Sequence, residues 1–210
     1  MQTNNNKIFL RGRLTSPPAP SHSNHGVEYF TLPLAVRRLS GAEDRLNVMA
    51  SREQLEEFSS LEPDSPLSVQ GEVRTFNNRS GVGSRLVVSV FARRLFWDEG
   101  EDENRLELSG TLCKPPTLRS TPLGRTICDM ILAVNRRYGR ADYLPCIAWG
   151  SLAYRCGAME VGDPLSLEGR LQSRIYTKEA DGQLQERTAF EVSIMSLTPE
   201  YTDSAPERTD

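Results

Sequence analysis

Apolar and polar residues alternate along much of this chain, and such alternation predicts β-strands with one buried face. In residues 7–14, for example, Ile8, Leu10 and Gly12 share one parity and basic side chains occupy most of the other. Similar runs, several of them rich in β-branched residues, predict further strands at 28–38, 46–50, 67–77, 85–96, 105–112, 126–137, 143–149, 165–177 and 187–197. Helical spacing occurs in two places, at Leu55, Phe58 and Leu61 and at Leu152, Cys156 and Met159.

The chain also repeats itself at an offset of 98 residues. The matched pairs include Gly12 and Gly110, Leu34 and Leu132, Arg38 and Arg136, Asp44 and Asp142, Leu67 and Leu165, and Gly71 and Gly169. A period this long corresponds to a whole domain, because solenoid units repeat every 20–50 residues or so, about half this length or less. The sequence therefore predicts two copies of one small fold, and the differences between the copies become informative about function.

Each copy shows the same order of elements: three strands, a short helix and a two-stranded hairpin, with hairpin turns expected at 81–83 and 181–182. This order, within about 90 residues, matches the five-stranded barrel of the OB type. Glycines inside strands, such as Gly12 and Gly71, fit barrel corners or bulges. We therefore predict an all-β chain of two tandem five-stranded OB-fold Greek-key barrels, each with a short helix between strands 3 and 4.

The predicted boundaries are OB domain 1 at 1–97, an acidic linker at 98–104, OB domain 2 at 105–200 and a short disordered tail at 201–210. The net charge of −3 at pH 7 is spread unevenly over them. The first copy carries 12 basic and 9 acidic residues, the second 12 and 11, and the linker five acidic residues and no basic one. Both copies are mildly basic, which allows a groove for an anionic ligand. The linker is either a passive spacer or a competitor for that groove.

Several classes of protein find no support in this sequence. No apolar stretch approaches the roughly 18 residues of a membrane span, and the first residues do not form a secretory signal, so we expect a cytoplasmic protein without membrane contact. The four cysteines, Cys113, Cys128, Cys146 and Cys156, form no CxxC pair and have no counterparts in the first copy, which favours buried thiols. His22 and His25 share one polar loop. Lacking a nucleophile–base pair, a phosphate loop or a ligand cluster, the chain is expected to be no enzyme and to hold no cofactor or metal.

The second copy interleaves aromatic residues with arginines. Arg136, Arg137 and Tyr138 close its second strand, and Arg174 and Tyr176 share a face late in its fourth strand. Tyr143 and Trp149 lie six residues apart in the third strand, and therefore on one face, with Leu144, Cys146 and Ala148 directed inward. Bases of single-stranded nucleic acid stack on such rings for about 1–3 kcal/mol each, and arginines neutralise the phosphates.

Each ring also has a structural interpretation, because tyrosine and tryptophan pack well on half-buried sheets. The repeat favours the binding interpretation. In the first copy the positions of Tyr138, Tyr143, Trp149 and Tyr176 hold Ser40, Arg45, Ser51 and Asn78. Core positions such as Leu46 and Leu144 stay apolar in both copies, so the aromatic positions indicate exposed side chains that form one binding face.

The second copy resembles the bacterial single-stranded DNA-binding protein family over essentially its full length. The resemblance rests on the segments LAVNRRY at 132–138, DYLPCIAWG at 142–150 and LEGRLQSRIY at 167–176. The OB fold of that family stacks DNA bases on aromatics at the end of strand 2, at both ends of strand 3 and late in strand 4. The resemblance therefore implies stacking on Tyr138, Tyr143, Trp149 and Tyr176, with Arg136, Arg137 and Arg174 beside them.

The first copy resembles the family more weakly and lacks those aromatics. Its candidate DNA contacts are Arg37, Arg38, Arg45, Arg74 and Phe76, with Arg79 as a further basic residue. Phe76 shares strand parity with Asn78 and offers a shifted stacking position. We expect this copy to bind weakly or to serve mainly assembly.

The resemblance also bears on partners. Most members of the family carry one OB domain per chain and assemble four per oligomer, so a two-domain chain is expected to form a homodimer. The family usually ends in an acidic, apolar tip that recruits repair and replication enzymes, and residues 204–210 do not match that tip. Recruitment of such proteins is therefore left open.

The first hypothesis is sequence-independent binding of single-stranded DNA, serving DNA replication, recombination or repair. One alternative is a primosomal or mobile-element replication accessory protein that acts mainly through protein–protein contacts. Another is binding of single-stranded RNA, because stacking surfaces do not read the 2′-hydroxyl.

Overall fold

The structure is a computed structural model that describes residues 5–78, 86–180 and 183–198. The two predicted hairpin turns, Arg79 and the predicted tail lie outside the described residues. None of the helices in the described part of the chain is long and apolar enough to cross a membrane.

The two halves of the chain repeat one order of elements. In the first half these are β1 Asn6–Leu14, β2 Ala19–Asn24, β3 Val27–Arg37, β4 Glu43–Ser51, α1 Arg52–Glu56, β5 Pro66–Asn77 and β6 Leu86–Trp97. In the second half they are β7 Glu103–Leu112, β8 Thr117–Ser120, β9 Thr126–Asn135, β10 Ala141–Trp149, α2 Ser151–Gly157, β11 Pro164–Ala180 and β12 Gln183–Leu197. A 3₁₀ turn at Arg137–Gly139 connects β9 to β10.

Five strands of each half close into a barrel. In the first half, β1 pairs with both β3 and β5, β3 pairs with β4, and β4 runs parallel to β6, which returns to β5. The same pairings recur among β7, β9, β10, β11 and β12. A helix follows the third barrel strand in each half. The predicted tandem OB barrels are confirmed.

Two short strands were not predicted. All side chains of β2 and β8 are exposed, so neither strand shows the alternation that marks a buried face. They pair with the outer edges of β3 and β9. His22 therefore lies in a strand rather than a loop, and its ring stacks 5.1 Å from that of Tyr29.

The helices are shorter than the periodicity indicated. Helix α1 begins after Ser51, whose hydroxyl accepts from the Gln54 amide while the Gln54 side chain accepts from the Ser51 amide. Such a capping box defines the start of a helix. Because α1 ends at Glu56 and α2 at Gly157, Phe58 and Met159 follow the helices and pack on the core from the connecting segments.

The two cores use equivalent residues. Leu10, Leu34 and Leu46 are buried, and so are their counterparts at the repeat offset, Leu108, Leu132 and Leu144. The strand glycines serve close approach of the backbone. A Cβ on Gly12 would lie 2.1 Å from the carbonyl oxygen of Ala35, so only glycine allows β1 to cross β3 at this corner.

The halves join through their first strands. Strand β1 pairs antiparallel with β7, and Ile8 lies opposite Leu106, its own counterpart in the repeat. The halves are therefore related by an approximate twofold axis, and their strands form one continuous sheet of 12 strands. Strand β7 begins at Glu103, so the last residues assigned to the linker lie in a strand.

Candidate nucleic-acid interface

Strand β10 presents two aromatic rings on its outer face. Tyr143 is 52% exposed and Trp149 37% exposed, while Leu144, Cys146 and Ala148 between them are buried in the barrel. The alternation of side chains along a strand produces this division. The predicted common face of Tyr143 and Trp149 is therefore present.

Tyr138 lies at the tip of the connection between β9 and β10. Its side chain is 95% exposed, and its backbone adopts φ 62 and ψ 36. This left-handed conformation is uncommon for residues other than glycine, and the next residue, Gly139, shares it with φ 66. Strained backbone of this kind is concentrated at binding sites. The turn holds the ring out into solvent, just before the start of β10.

Strand β11 carries the fourth aromatic residue, Tyr176, which is half-buried. The Arg174 guanidinium lies 5.7 Å from the centre of its ring. Arg174 is mostly exposed, and its Nε is 3.8 Å from a carboxylate oxygen of Glu191, a distance at which the ion pair is weak. Arg137 is exposed beside Tyr138. Both arginines remain accessible to an anionic ligand.

Arg136 lies where the two halves of the chain meet. Its Nε donates to Asp142 over 2.5 Å, and its Nη2 donates to the backbone oxygen of Thr75 over 2.9 Å. Asp142 is fully buried and also pairs with Arg74 at 3.1 Å. Both guanidiniums are therefore engaged where the two halves meet, and contact of Arg136 and Arg74 with DNA stays a prediction. They connect the second half to the first.

Thr75, Arg136, Asp142 and Tyr143 form what we call the first junction. The Thr75 amide donates to Asp142 over 2.5 Å, and the Tyr143 amide donates to the Thr75 hydroxyl over 2.9 Å. The end of β5 is thereby fixed to the start of β10. Neither Thr75 nor Asp142 was predicted to be a site residue, although Asp142 has an aspartate, Asp44, as its counterpart in the repeat.

The second junction repeats this arrangement with the halves exchanged. Arg38 forms an ion pair with buried Asp44, and Asp44 accepts from the amide of Ser173, the counterpart of Thr75, over 2.8 Å. The Arg45 amide donates to the Ser173 hydroxyl over 2.9 Å. The hydrogen bond to Asp44 raises the pKa of Arg38, and contact of this guanidinium with DNA stays a prediction.

Three predicted residues of the first half remain accessible. The Arg45 side chain is 76% exposed and pairs at 3.0 Å with Glu43. Phe76 is 47% exposed. Arg37 is exposed, and its backbone amide donates to Asp102 of the acidic linker, or connector, over 2.6 Å. Contact of these three residues with nucleic acid stays a prediction.

The connector is held against the first half. Asp98 accepts from Arg11 Nε over 2.8 Å and from the Ser68 hydroxyl over 2.7 Å, and Glu103 pairs with Arg11 at 3.3 Å. Hydrogen bonds from the Gly100 amide, Arg11 and Ser68 lower the pKa of Asp98 to about 2. Arg11 is thus the partner of the acidic connector.

Burial raises the pKa of all four cysteine thiols. Cys128, Cys146 and Cys156 are buried and Cys113 is half-buried, all as free cysteines. Burial raises the pKa of Cys156 to about 11 and that of Cys146 further, so both remain protonated and unreactive. Among the described residues, no cluster of histidine, cysteine and carboxylate side chains could hold a metal ion.

Sequence comparison matches residues 103–198 with the single-strand binding protein family. A single-stranded DNA-binding protein 2 of Listeria innocua is 34% identical over 87 residues, which cover 38% of this chain and 54% of the relative. The single-stranded DNA-binding protein of Deinococcus radiodurans is 23% identical over a match that covers 90% of this chain and 73% of the length of that protein. The chain spans 54%, 64% and 61% of the length of three relatives from Listeria, Halalkalibacterium and Bacillus cereus.

Among solved structures, wild-type single-stranded DNA binding protein from Thermus aquaticus superposes with a TM-score of 0.73 at 26% identity, covering 97% of this chain and 98% of that one. A deletion mutant of the same protein gives a TM-score of 0.74 at 28% identity, covering 96% and 97%. Both halves and their relative arrangement are therefore shared with these structures.

Proposed function

We propose that this chain, whose residues 103–198 match the single-strand binding protein family, binds single-stranded DNA without sequence preference and serves replication, recombination or repair. The observation that carries the proposal is the pair of exposed rings on β10, Tyr143 and Trp149. They lie on the outer face of the strand, whose inner face is buried in the barrel core. They lie in the half that matches the family.

The mechanism is base stacking with neutralisation of phosphates. Tyr138, Tyr143, Trp149 and Tyr176 stack bases, and each stack contributes about 1–3 kcal/mol. Arg137 and Arg174 contact the backbone, so affinity falls with salt. In this proposal residues 105–200 form the main binding domain, and residues 1–97, joined through 98–104, form a domain of reduced affinity.

Tryptophan fluorescence tests the proposal. Trp97 is 52% exposed at the end of β6, so the titration uses a Trp97→Phe background in which Trp149 is the reporter. Oligo-dT should quench Trp149 at low salt, and added salt should reverse the quenching. Absence of both quenching and a retarded band at low salt would contradict the proposal. A parallel titration with oligo-U shows whether RNA binds equally well.

Salt dependence separates the two kinds of contact. Arg137→Gln should lower the slope of log K against log salt by about 0.7, the value for one phosphate contact on a single strand. Tyr143→Ala should weaken binding and leave that slope unchanged, because stacking releases no counterions. Equal slopes for both variants would remove Arg137 from the proposed surface.

We further propose that two chains form a homodimer, which brings four OB domains together. The tandem arrangement in one chain supports this proposal, since a closed twofold dimer is the commonest way for soluble chains to assemble. Sedimentation equilibrium of the full chain should give twice the monomer mass of 23.5 kDa. A monomer at micromolar concentration would contradict it.

A further inference from the structure

In the first junction, Thr75 of the first half forms hydrogen bonds to the second half through its amide, its carbonyl and its hydroxyl. The amide of Thr75 donates to Asp142, its carbonyl accepts from Arg136, and its hydroxyl accepts from the amide of Tyr143. Thr75 is 7% exposed. The end of β5 therefore cannot move relative to the start of β10 without loss of several buried hydrogen bonds, which is costly.

Thr75 and Asp142 are each followed in the sequence by an exposed aromatic residue. Phe76 follows Thr75 on β5, and Tyr143 follows Asp142 on β10. Successive side chains of a strand point to opposite sides. As Thr75 and Asp142 point into the junction, Phe76 and Tyr143 point away from it, with 47% and 52% exposure. One ring comes from each half of the chain.

The second junction differs in its chemistry. Its equivalents of Phe76 and Tyr143 are Arg174 and Arg45, and their side chains are 55% and 76% exposed. Two related positions thus carry a pair of rings at one junction and a pair of guanidiniums at the other. Rings stack bases, whereas guanidiniums contact phosphates.

We propose that Phe76 and Tyr143 form one stacking surface that spans both halves, and that Thr75 and Asp142 are positioning residues for it. The proposal rests on the proposed binding of single-stranded DNA. A strand bound to the second half crosses to the first half at this surface, so the first half contributes to binding although it lacks the other aromatics.

A double-mutant cycle tests the positioning role. Thr75→Val removes the hydroxyl and keeps the shape, and Tyr143→Ala removes the ring. Anisotropy of labelled oligo-dT measures affinity independently of tryptophan. Tyr143→Ala should weaken binding about 5- to 150-fold. Thr75→Val should weaken binding in the unmodified chain, and by less than about 2-fold when Tyr143 and Phe76 are already alanine.

The repeat supplies the matched control. Ser173→Ala removes the equivalent hydroxyl of the second junction, which supports Arg45 instead of a ring. Ser173→Ala should change the affinity for oligo-dT by the same factor, within about 2-fold, whether residue 143 is tyrosine or alanine. Thr75→Ser should keep the affinity of the unmodified chain, because it retains the hydroxyl and serine occupies the equivalent position, Ser173. Phe76→Ala, an exposed change, should by itself weaken binding about 5-fold or more.

The outcomes separate the two proposals. Two results would overturn the stacking surface that spans both halves, while DNA binding itself would stand. In the first, Thr75→Val lowers the affinity for oligo-dT equally in the unmodified chain and in the chain with Tyr143 and Phe76 replaced by alanine. In the second, Phe76→Ala leaves the affinity unchanged. Failure of the unmodified chain to bind oligo-dT would overturn the proposed function and this proposal with it.

Discussion

Asp98 shows how a single carboxylate ties the connector to the barrel. Three groups donate to it: the Gly100 amide, Arg11 and Ser68. Each favours the ionised form, which explains the lowered pKa. From its sequence, the acidic linker at 98–104 is either a passive spacer or a competitor for a basic groove. The contacts favour a third role, in which Asp98 and Glu103 neutralise Arg11 and hold the connector against β1.

Stability should depend on pH through Asp98. Its folded pKa of about 2 lies below the value of about 3.9 expected in the unfolded chain. Ionised Asp98 therefore stabilises the fold above about pH 4, and this contribution disappears as the pH falls towards 2. Urea unfolding of Asp98→Asn should show lower stability than the unmodified chain at pH 7, with the gap closing near pH 2.

Glu99 is the matched control for that experiment, since it lies in the same connector and is exposed. Glu99→Gln should lower stability at pH 7 by less than Asp98→Asn does. A gap for Asp98→Asn that stays constant from pH 7 to pH 2 would contradict the assigned role of Asp98.

At the scale of elements, the alternation of residues predicted the ten barrel strands because each buries one face. It did not predict β2 and β8, because their side chains are exposed and the strands are defined by backbone pairing with β3 and β9. Hydrophobic periodicity reports burial, and it carries no information on hydrogen bonding between strands. The glycines were predicted at corners, and they lie where strands approach too closely for a Cβ.

Gly71 gives a direct test of that element. It lies at the register shift between β5 and β6, and a Cβ would be 2.2 Å from the Phe91 carbonyl oxygen. We expect Gly71→Ala to lower the free energy of unfolding by about 1–3 kcal/mol through overpacking. Gly157→Ala at the end of α2 is the control, because its nearest neighbour is a Leu118 side-chain atom at 3.4 Å. Similar values for both variants would contradict this account.

At the scale of the molecule, the repeat predicted two related barrels and an asymmetry of aromatic residues between them, but not how the halves meet. Thr75 and Asp142 are 67 residues apart in the chain, so no local pattern connects them. One signal was present, since Arg38 and Asp44 recur as Arg136 and Asp142 at the same offset. A charged pair kept in both copies, where the aromatic positions differ, indicates a shared structural role.

These junctions make the two halves one unfolding unit. Strand β1 continues into the sheet of the second half through β7, and each buried aspartate bonds to the opposite half. Loss of either half therefore exposes a buried carboxylate and a strand edge of the other. Scanning calorimetry of the unmodified chain should show one transition whose calorimetric and van't Hoff enthalpies agree.

Asp142→Ala tests this coupling in full. It leaves Arg136 without its carboxylate and removes one of the two carboxylates that pair with Arg74, the other being Glu72. Loss of one partner of a buried ion pair costs about 3–5 kcal/mol. Because Arg74 belongs to the first half, the melting temperature of the single transition should fall for the whole molecule. The matched surface variant Asp129→Ala removes an exposed pair with Arg119 and should change stability by about 1 kcal/mol or less. A first half that melts at its original temperature in Asp142→Ala would show that the halves are independent and the junction is not a shared support.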